Sequence, residues 1–182
     1  AISGIALPPM SAFATPLGQI ELDRNALAEL SALPGVCFRE AAHAQEHSLE
    51  VQLPFLQVLF GNDFRLVPLV VGEAEPELIA QVLDTVWGGD ETCVIVSSDL
   101  SHYHNYKTAQ ALDSGTVARI LALLRIEGED ACGAVPINGL LALARRKGLK
   151  ARLLDLRNSG DTAGDKNRVV GYAAFAFDET KP

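Results

Sequence analysis

The chain has 182 residues, with 15 Lys and Arg against 23 Asp and Glu and a formal net charge of −8. This charge repels polyanions, so we do not expect a nucleic-acid partner. No run reaches the roughly 18 apolar residues of a membrane span and no signal peptide opens the chain, so we expect no membrane. Its 3 cysteines lack paired spacing, which indicates a reducing, cytoplasmic compartment. The length fits one domain over residues 1–182.

Helix-like and strand-like segments alternate along the chain. Helices are predicted at residues 23–31, 48–60, 76–87, 107–124 and 136–147. Strands are predicted at residues 65–71, 92–98, 151–157 and 169–177, mostly without alternation, as in strands buried on both faces. Asp23 is a candidate N-cap, Pro76 suits a first helical turn, and Gly148 suits the end of the last helix. The alternation predicts an α/β sandwich.

All four histidines lie in two polar clusters, HAQEHSLE at 43–50 and SSDLSHYH at 97–104. Imidazole titrates near neutral pH and is the commonest protein metal ligand, so this clustering indicates a chemical site. In the first cluster, His43 and His47 share a face if the helix starts early, but the helix can instead start at Ser48 or Pro54. Glu50 then either complements the helix dipole or belongs to a site, and both interpretations stay open.

The second cluster directly follows the predicted strand at 92–98. In open α/β sheets, ligands bind at this end of the strands. Asp99 and His102 are three residues apart, so Asp99 can orient His102 for proton transfer. Cys132 precedes a predicted helix whose N-terminal dipole favours a thiolate, and it is a candidate metal ligand. Cys93 lies within the predicted strand and is expected in the core.

Four motifs stand in order along the chain: EHSLEVQLP at 46–54, SSDLSH at 97–102, CGAVPI at 132–137 and NSGDTAG at 158–164. Together they resemble the Memo family, and within it the bacterial B proteins of the AmmeMemoRadiSam system. The resemblance runs from about Gly4 to Phe177. It implies the α/β/α sandwich of the class III extradiol dioxygenases, which use non-haem iron(II) to cleave catechol rings.

The resemblance also implies roles for particular residues. Cys132 would be a metal ligand, and His102, steadied by Asp99, would be the acid/base residue. The family's two histidine ligands belong to segments expected upstream of Ala1, so we interpret the chain as a Memo-like domain lacking its N-terminal portion. A cysteine ligand favours copper or a redox role alongside iron. The remaining pocket residues are expected to be His47, Glu50, Ser98 and His104.

Two functions follow from the resemblance. The first is a metal-dependent oxidoreductase with a dioxygenase-type pocket, an iron or copper cofactor, and a small-molecule or peptide ligand. The second is a non-catalytic binding or scaffold protein that retains the dioxygenase fold and acts with a radical-SAM system partner. A zinc hydrolase built on Asp99 and Glu50 is disfavoured because the chain has no HExxH or comparable spacing.

Overall fold

The computed structural model describes residues 3–44, 46–162 and 164–179. The chain divides into two compact units, Ala1–Ser97 and Ser98–Pro182. Each unit combines helices with strands, so the predicted α/β class is confirmed. That the whole chain forms a single domain stays a prediction.

The first unit contains two small sheets and four helices among its described residues. Its elements are β1 (Ile5–Leu7), β2 (Ala12–Thr15), β3 (Gly18–Glu21), α1 (Arg24–Ser31), β4 (Val36–Phe38), α2 (Glu40–His43), α3 (Leu53–Phe60), β5 (Val70–Val71) and α4 (Pro76–Thr85). One sheet has the order β4-β1-β5, with β4 parallel and β5 antiparallel to β1. The other is the antiparallel pair β2 and β3. The β1 strand is completely buried and forms the centre of this unit.

Local signals set the helix boundaries in this unit. The Asp23 side chain accepts hydrogen bonds from the backbone N–H groups of Asn25 and Ala26 and so caps α1, as predicted. Pro54 stands in the first turn of α3, where its missing N–H costs no hydrogen bond. Of the three predicted starts for this helix, the start at the proline is therefore confirmed. His43 ends the separate short helix α2, so His43 and His47 do not share one helix face.

The second unit is built on one antiparallel sheet. Its elements are β6 (His102–His104), α5 (Tyr106–Leu121), α6 (Ala134–Lys147), β7 (Leu149–Asn158), a 3-10 turn (Ser159–Asp161) and β8 (Val169–Glu179). The strand order is β6-β8-β7. The α6 helix ends at Gly148, whose φ of 67° is the left-handed conformation that favours glycine, as predicted.

The core of the second unit lies between its helices and one face of its sheet. It is formed by Leu100, Val117, Ile120, Ile126, Ala131, Ala134 and Leu141. Along β7, burial alternates between neighbouring residues. The prediction that this strand is buried on both faces is therefore wrong. An antiparallel strand that packs helices on one face leaves its other face more accessible.

The predicted strand at 92–98 is not formed: none of the described strands or their pairings includes these residues. Cys93 is consequently exposed, and its assignment to the core is wrong. The predicted strand at 65–71 shrinks to β5, with one isolated bridge between Leu22 and Leu66. An apolar run specifies no partner strand, and without a partner its backbone cannot form a ladder. The SSDLSHYH cluster therefore does not follow a strand. It contains one, β6.

Candidate metal centre

Cys132 and Asp99 are joined by a reciprocal pair of hydrogen bonds within the second unit. The Asp99 backbone N–H donates to the Cys132 Sγ at 3.1 Å. In return, the Cys132 N–H donates to the Asp99 carbonyl oxygen at 3.2 Å. Cys132 stands two residues before the first residue of α6 and is exposed. The fold therefore holds the cysteine against the start of the SSDLSH segment while leaving its sulfur accessible.

Ser98 strengthens this junction. Its Oγ accepts a hydrogen bond from the Gly133 N–H at 2.8 Å and donates to the Asp99 carbonyl oxygen at 2.8 Å. The Oγ of Ser98 also lies 3.5 Å from the Cys132 Sγ. One hydroxyl thus links the residue after the cysteine to the segment that carries Asp99.

The carboxylate of Asp99 faces the imidazole of His102. The Oδ2 of Asp99 lies 3.6 Å from the Nε2 of His102, within ion-pair range but longer than a hydrogen bond. Both side chains are partly exposed. Because the pair is open to solvent, a ligand can reach it.

The side chains of Asp99, His102 and Cys132 form a group that can hold a metal ion. One ligand atom from each lies within 4.8 Å of the other two. Two ligand atoms at about 2.0–2.3 Å from a tetrahedral ion lie about 3.5 Å apart. The Asp99 and His102 atoms are already at about this separation, and the sulfur lies within 4.8 Å of both. The donor set of sulfur, imidazole nitrogen and carboxylate oxygen fits a transition metal.

The comparison with known proteins identifies the family. The sequence model of the Memo-like protein family matches residues 1–176. The chain belongs to the Memo family. This membership is consistent with a dioxygenase-like α/β fold.

Archaeal members of the Memo family match most of the chain. A MEMO1 family protein of Sulfolobus acidocaldarius is 38% identical over 177 residues, which are 90% of this chain and 62% of the relative. A MEMO1 family protein of Saccharolobus solfataricus is 35% identical over 184 residues, or 93% of this chain and 65% of the relative. One of Methanosarcina barkeri is 38% identical over 175 residues, or 88% of this chain and 66% of the relative. The chain therefore spans less than two thirds of the length of these relatives.

The remaining predicted residues of the Memo-like pocket lie in different places. His104 is exposed at the end of β6. His47 and Glu50 belong to the first unit, in the turns between α2 and α3. The Nδ1 of His47 lies 3.8 Å from a carboxylate oxygen of Glu46. The Ser48 N–H donates to this carboxylate and lowers the pKa of Glu46. The pocket roles of His47, Glu50, Ser98 and His104 stay predictions.

Two tyrosines lie on the strands that carry or flank the site, Tyr103 on β6 and Tyr172 on β8. Tyr172 follows Gly171, whose backbone is hydrogen-bonded to Leu100 and Ser101, so it lies next to the segment that carries the candidate centre. Burial raises the pKa of Tyr172, and the negative charge of Asp99 raises it further. Tyr103 has a φ of 62°, a conformation that is strained for a residue with a side chain. Its ring packs against His102 and against the guanidinium of Arg168. The register of β6 and β8 shifts at this position, so the strain coincides with a bulge next to His102.

The NSGDTAG motif has a structural role in the described residues. The side chain of Asn158 accepts from the Gly160 N–H, and Asp161 accepts from the Asn158 N–H, so the two side chains close the 3-10 turn reciprocally. The Tyr106 hydroxyl donates to Asp161 at 2.5 Å and lowers the pKa of that carboxyl. Ala163 of this motif lies outside the described residues. The motif thus ties the end of β7 to the start of α5.

None of the described helices is both long and apolar enough to cross a lipid bilayer.

Proposed function

We propose that the protein is a metal-dependent oxidoreductase with a dioxygenase-type pocket, in which Cys132 binds the ion beside an acid/base pair formed by Asp99 and His102. The proximity of these three side chains, within 4.8 Å, carries the proposal. A cysteine sulfur, an imidazole nitrogen and a carboxylate oxygen are all ligands of transition metals in proteins. Their grouping at an accessible surface supports chemistry rather than packing.

The donor set supports a transition metal. A thiolate is a soft ligand that suits copper and iron better than magnesium or calcium, so we propose iron or copper. When bound, such an ion supplies Lewis-acid and redox chemistry. The residues of the chain would bind and orient the ligand and move its protons. A small molecule or peptide is the substrate class that we propose.

The contact between Asp99 and His102 favours proton transfer for the imidazole. The Asp99 carboxylate lies 3.6 Å from the Nε2 of His102, so it can orient the imidazole toward a bound ligand. Because His102 is partly exposed, its ring can exchange protons with a ligand bound next to Cys132. The same imidazole can instead be a third metal ligand. The variants below separate the two roles.

Selective protection of Cys132 tests the metal site. Cys37, Cys93 and Cys132 are all exposed, so each reacts with iodoacetamide, and peptide mass spectrometry resolves them. We expect one equivalent of iron or copper to slow the alkylation of Cys132 only, because in the part of the chain that the structure describes Cys132 is the cysteine that belongs to a group of three candidate ligands. Equal protection of all three cysteines from alkylation would contradict the proposal, and so would the absence of protection at Cys132. Elemental analysis of the chain purified without added metal gives the resident ion.

Substitution of His102 distinguishes the acid/base role from a ligand role. We expect His102→Gln to retain metal binding and to change the pH profile of any oxidative turnover. Cys132→Ser, in contrast, is expected to lose the metal. If His102→Gln loses metal as completely as Cys132→Ser, His102 belongs to the ligand set.

A binding or scaffold role with a radical-SAM system partner is the second candidate. It is supported by the exposed apolar side chains of α3, of which Phe55, Val58 and Leu59 are each more than two-thirds exposed. Under this function, Phe55→Glu would abolish binding to the purified partner. Cys132→Ala would leave that binding unchanged. Loss of binding in Cys132→Ala would instead connect the partner to the metal centre.

A further inference from the structure

We propose that Asp113 is a positioning residue for the candidate centre, and that its carboxylate fixes the segment from Asp99 to His102 against the sheet. The inference rests on the proposed function, since it assigns a role relative to that site. Asp113 lies in the middle of α5 and is only 2% exposed. It is the one acidic side chain among the buried polar residues of the described part of the chain.

The burial of Asp113 is not explained by charge pairing. Among the described residues, no ion pair neutralises this carboxylate. Its Oδ1 accepts a hydrogen bond from the backbone N–H of Ser101 at 3.0 Å. A buried carboxylate without a cationic partner costs free energy that an apolar residue would avoid. The neighbouring buried residues on this helix face, Ala109 and Val117, show that the helix itself requires no acid at this position.

The geometry around Ser101 shows what the carboxylate holds. The Leu100 N–H donates to the Gly171 carbonyl oxygen, and the Gly171 N–H donates to the Ser101 carbonyl oxygen, each at 2.8 Å. The Ser101 backbone is therefore bonded to β8 on one side and to Asp113 on the other. The Ser101 hydroxyl is buried and has no hydrogen-bond partner among the described residues, so the backbone of Ser101, and not its side chain, makes these hydrogen bonds.

Gly171 gives independent support for the close fit of this carboxylate. A Cβ built on Gly171 would lie 2.1 Å from the Oδ2 of Asp113 and 2.5 Å from its Cγ. The absence of a side chain at 171 thus leaves room for the carboxylate to reach Ser101. The hydrogen bond from the Ser101 N–H therefore depends both on Asp113 in α5 and on the glycine at position 171 in β8.

This contact is coupled to the candidate centre through the backbone. Ser101 directly precedes His102 and follows Asp99 by two residues. A shift of the Ser101 amide would change where the imidazole and the carboxylate point relative to Cys132. Residues that orient ligands in this indirect way typically change metal affinity by about tenfold to a hundredfold when removed.

Four variants and one control test the inference. Asp113→Ala removes the acceptor, Asp113→Ser leaves a side chain too short to reach Ser101, and Gly171→Ala displaces the carboxylate. Asp113→Asn keeps an oxygen acceptor. The control is Thr116→Val, because Thr116 is buried on the same helix but its hydroxyl bonds only to the helix backbone at Leu112.

Two measurements separate the inference from the proposed function. The first is the NMR signal of the His102 ring in the metal-free chain, and the second is the dissociation constant for Co²⁺, which serves as a spectroscopic probe. We expect Asp113→Ala, Asp113→Ser and Gly171→Ala to move the His102 signal. They should also weaken Co²⁺ binding at least about tenfold, because the same shift displaces the Asp99 backbone that is hydrogen-bonded to Cys132. Asp113→Asn and Thr116→Val should retain the His102 signal and the dissociation constant for Co²⁺.

An unchanged His102 signal in folded Asp113→Ala or Asp113→Ser would overturn the inference. So would a shift in Asp113→Asn as large as in Asp113→Ala, because the hydrogen bond would then not be the cause. Failure of the unsubstituted chain to bind Co²⁺ would contradict the proposed metal site. The inference on Asp113 would still be decided by the His102 signal.

Discussion

The backbone N–H of Asp99 donates a hydrogen bond to the Sγ of Cys132 at 3.1 Å, although 33 residues separate them along the chain. The Cys132 N–H donates back to the Asp99 carbonyl oxygen. Because each residue bonds to the other, the backbone of Asp99 is held next to the turn that precedes α6. This coupling explains how a cysteine on an exposed turn can keep a fixed relation to a carboxylate and an imidazole.

Removing the Ser98 hydroxyl is expected to weaken metal binding at this junction. In Ser98→Ala, the Gly133 N–H loses its acceptor and the Asp99 carbonyl loses one donor. We expect the affinity for Co²⁺ to fall about tenfold, as for other residues that support metal ligands. Isothermal titration calorimetry measures this change. Ser98→Thr keeps the hydroxyl and should retain the affinity. Equal affinities of Ser98→Ala and the unsubstituted chain would show that the hydroxyl does not support the site.

Helix boundaries were predictable because their signals are local. The cap at Asp23, the proline at Pro76 and the glycine at Gly148 each act within one helical turn, and the structure places helix ends at all three. The strand at 92–98 was not predictable in this way. A strand depends on a partner that is distant in sequence, and hydrophobicity alone does not specify one.

The candidate site shows the same limit. Asp99 and His102 were linked by their spacing in one motif, whereas the approach of Cys132 depends on tertiary structure and was inferred only through the family resemblance. Asp113 was missed, although a signal existed. It lies four residues from both Ala109 and Val117, so helical periodicity puts it on the buried face. Tyr172 gave no such signal, because its proximity to Asp99 arises between distant segments.

The buried imidazole of His43 is expected to make stability depend on pH. Its Nε2–H donates to the Ala6 carbonyl oxygen at 3.0 Å, while its Nδ1 is buried without a partner. Burial lowers the pKa of His43 below its ordinary 6.5, although the Ala6 contact and the charge of Glu46 act in the opposite direction. The unfolded chain therefore binds the proton at a higher pH than the folded chain does. Stability contributed by neutral His43 is present above about pH 6.5 and is lost as the pH falls toward the folded pKa.

Denaturant unfolding at several pH values measures this dependence. One proton changes the free energy of unfolding by at most about 1.4 kcal/mol per pH unit. We expect His43→Gln to flatten the dependence below about pH 6.5, where the unfolded chain takes up the proton before the folded chain does. His47→Gln is the matched control, because the His47 side chain is 84% exposed. A slope unchanged in His43→Gln, or flattened equally in both variants, would exclude His43 as its source.

Loss of the α1 cap is expected to destabilise the chain. The Asp23 carboxylate accepts from two backbone N–H groups at the first turn, at 3.1 and 3.0 Å. Asp23→Ala leaves these donors without their partner, which should lower the free energy of unfolding by about 1 kcal/mol. Asp23→Asn retains an oxygen acceptor and should lose much less. Urea unfolding compares the two, and equal losses would mean that the hydrogen bonds are not the source of the effect.

Two glycines of the second unit are expected to respond to alanine in opposite directions. A Cβ on Gly160 would lie 2.9 Å from Tyr106 and 3.0 Å from Asn158 and Val169, so the closed turn must open to accept it. Gly160→Ala should therefore lower the free energy of unfolding by about 1–3 kcal/mol. Gly115 lies within α5, where a Cβ would meet nothing within 4 Å.

In Gly115→Ala, the new methyl group creates no clash and removes backbone freedom from the unfolded chain. We expect a gain of about 0.5–1 kcal/mol from the higher helix propensity of alanine. Because both variants add one methyl group to the same unit, the sign of the change reports the space around each position. Urea unfolding measures both. Stabilisation by Gly160→Ala would show that the turn does not need a residue without a side chain, and would weaken the structural role assigned to the NSGDTAG motif.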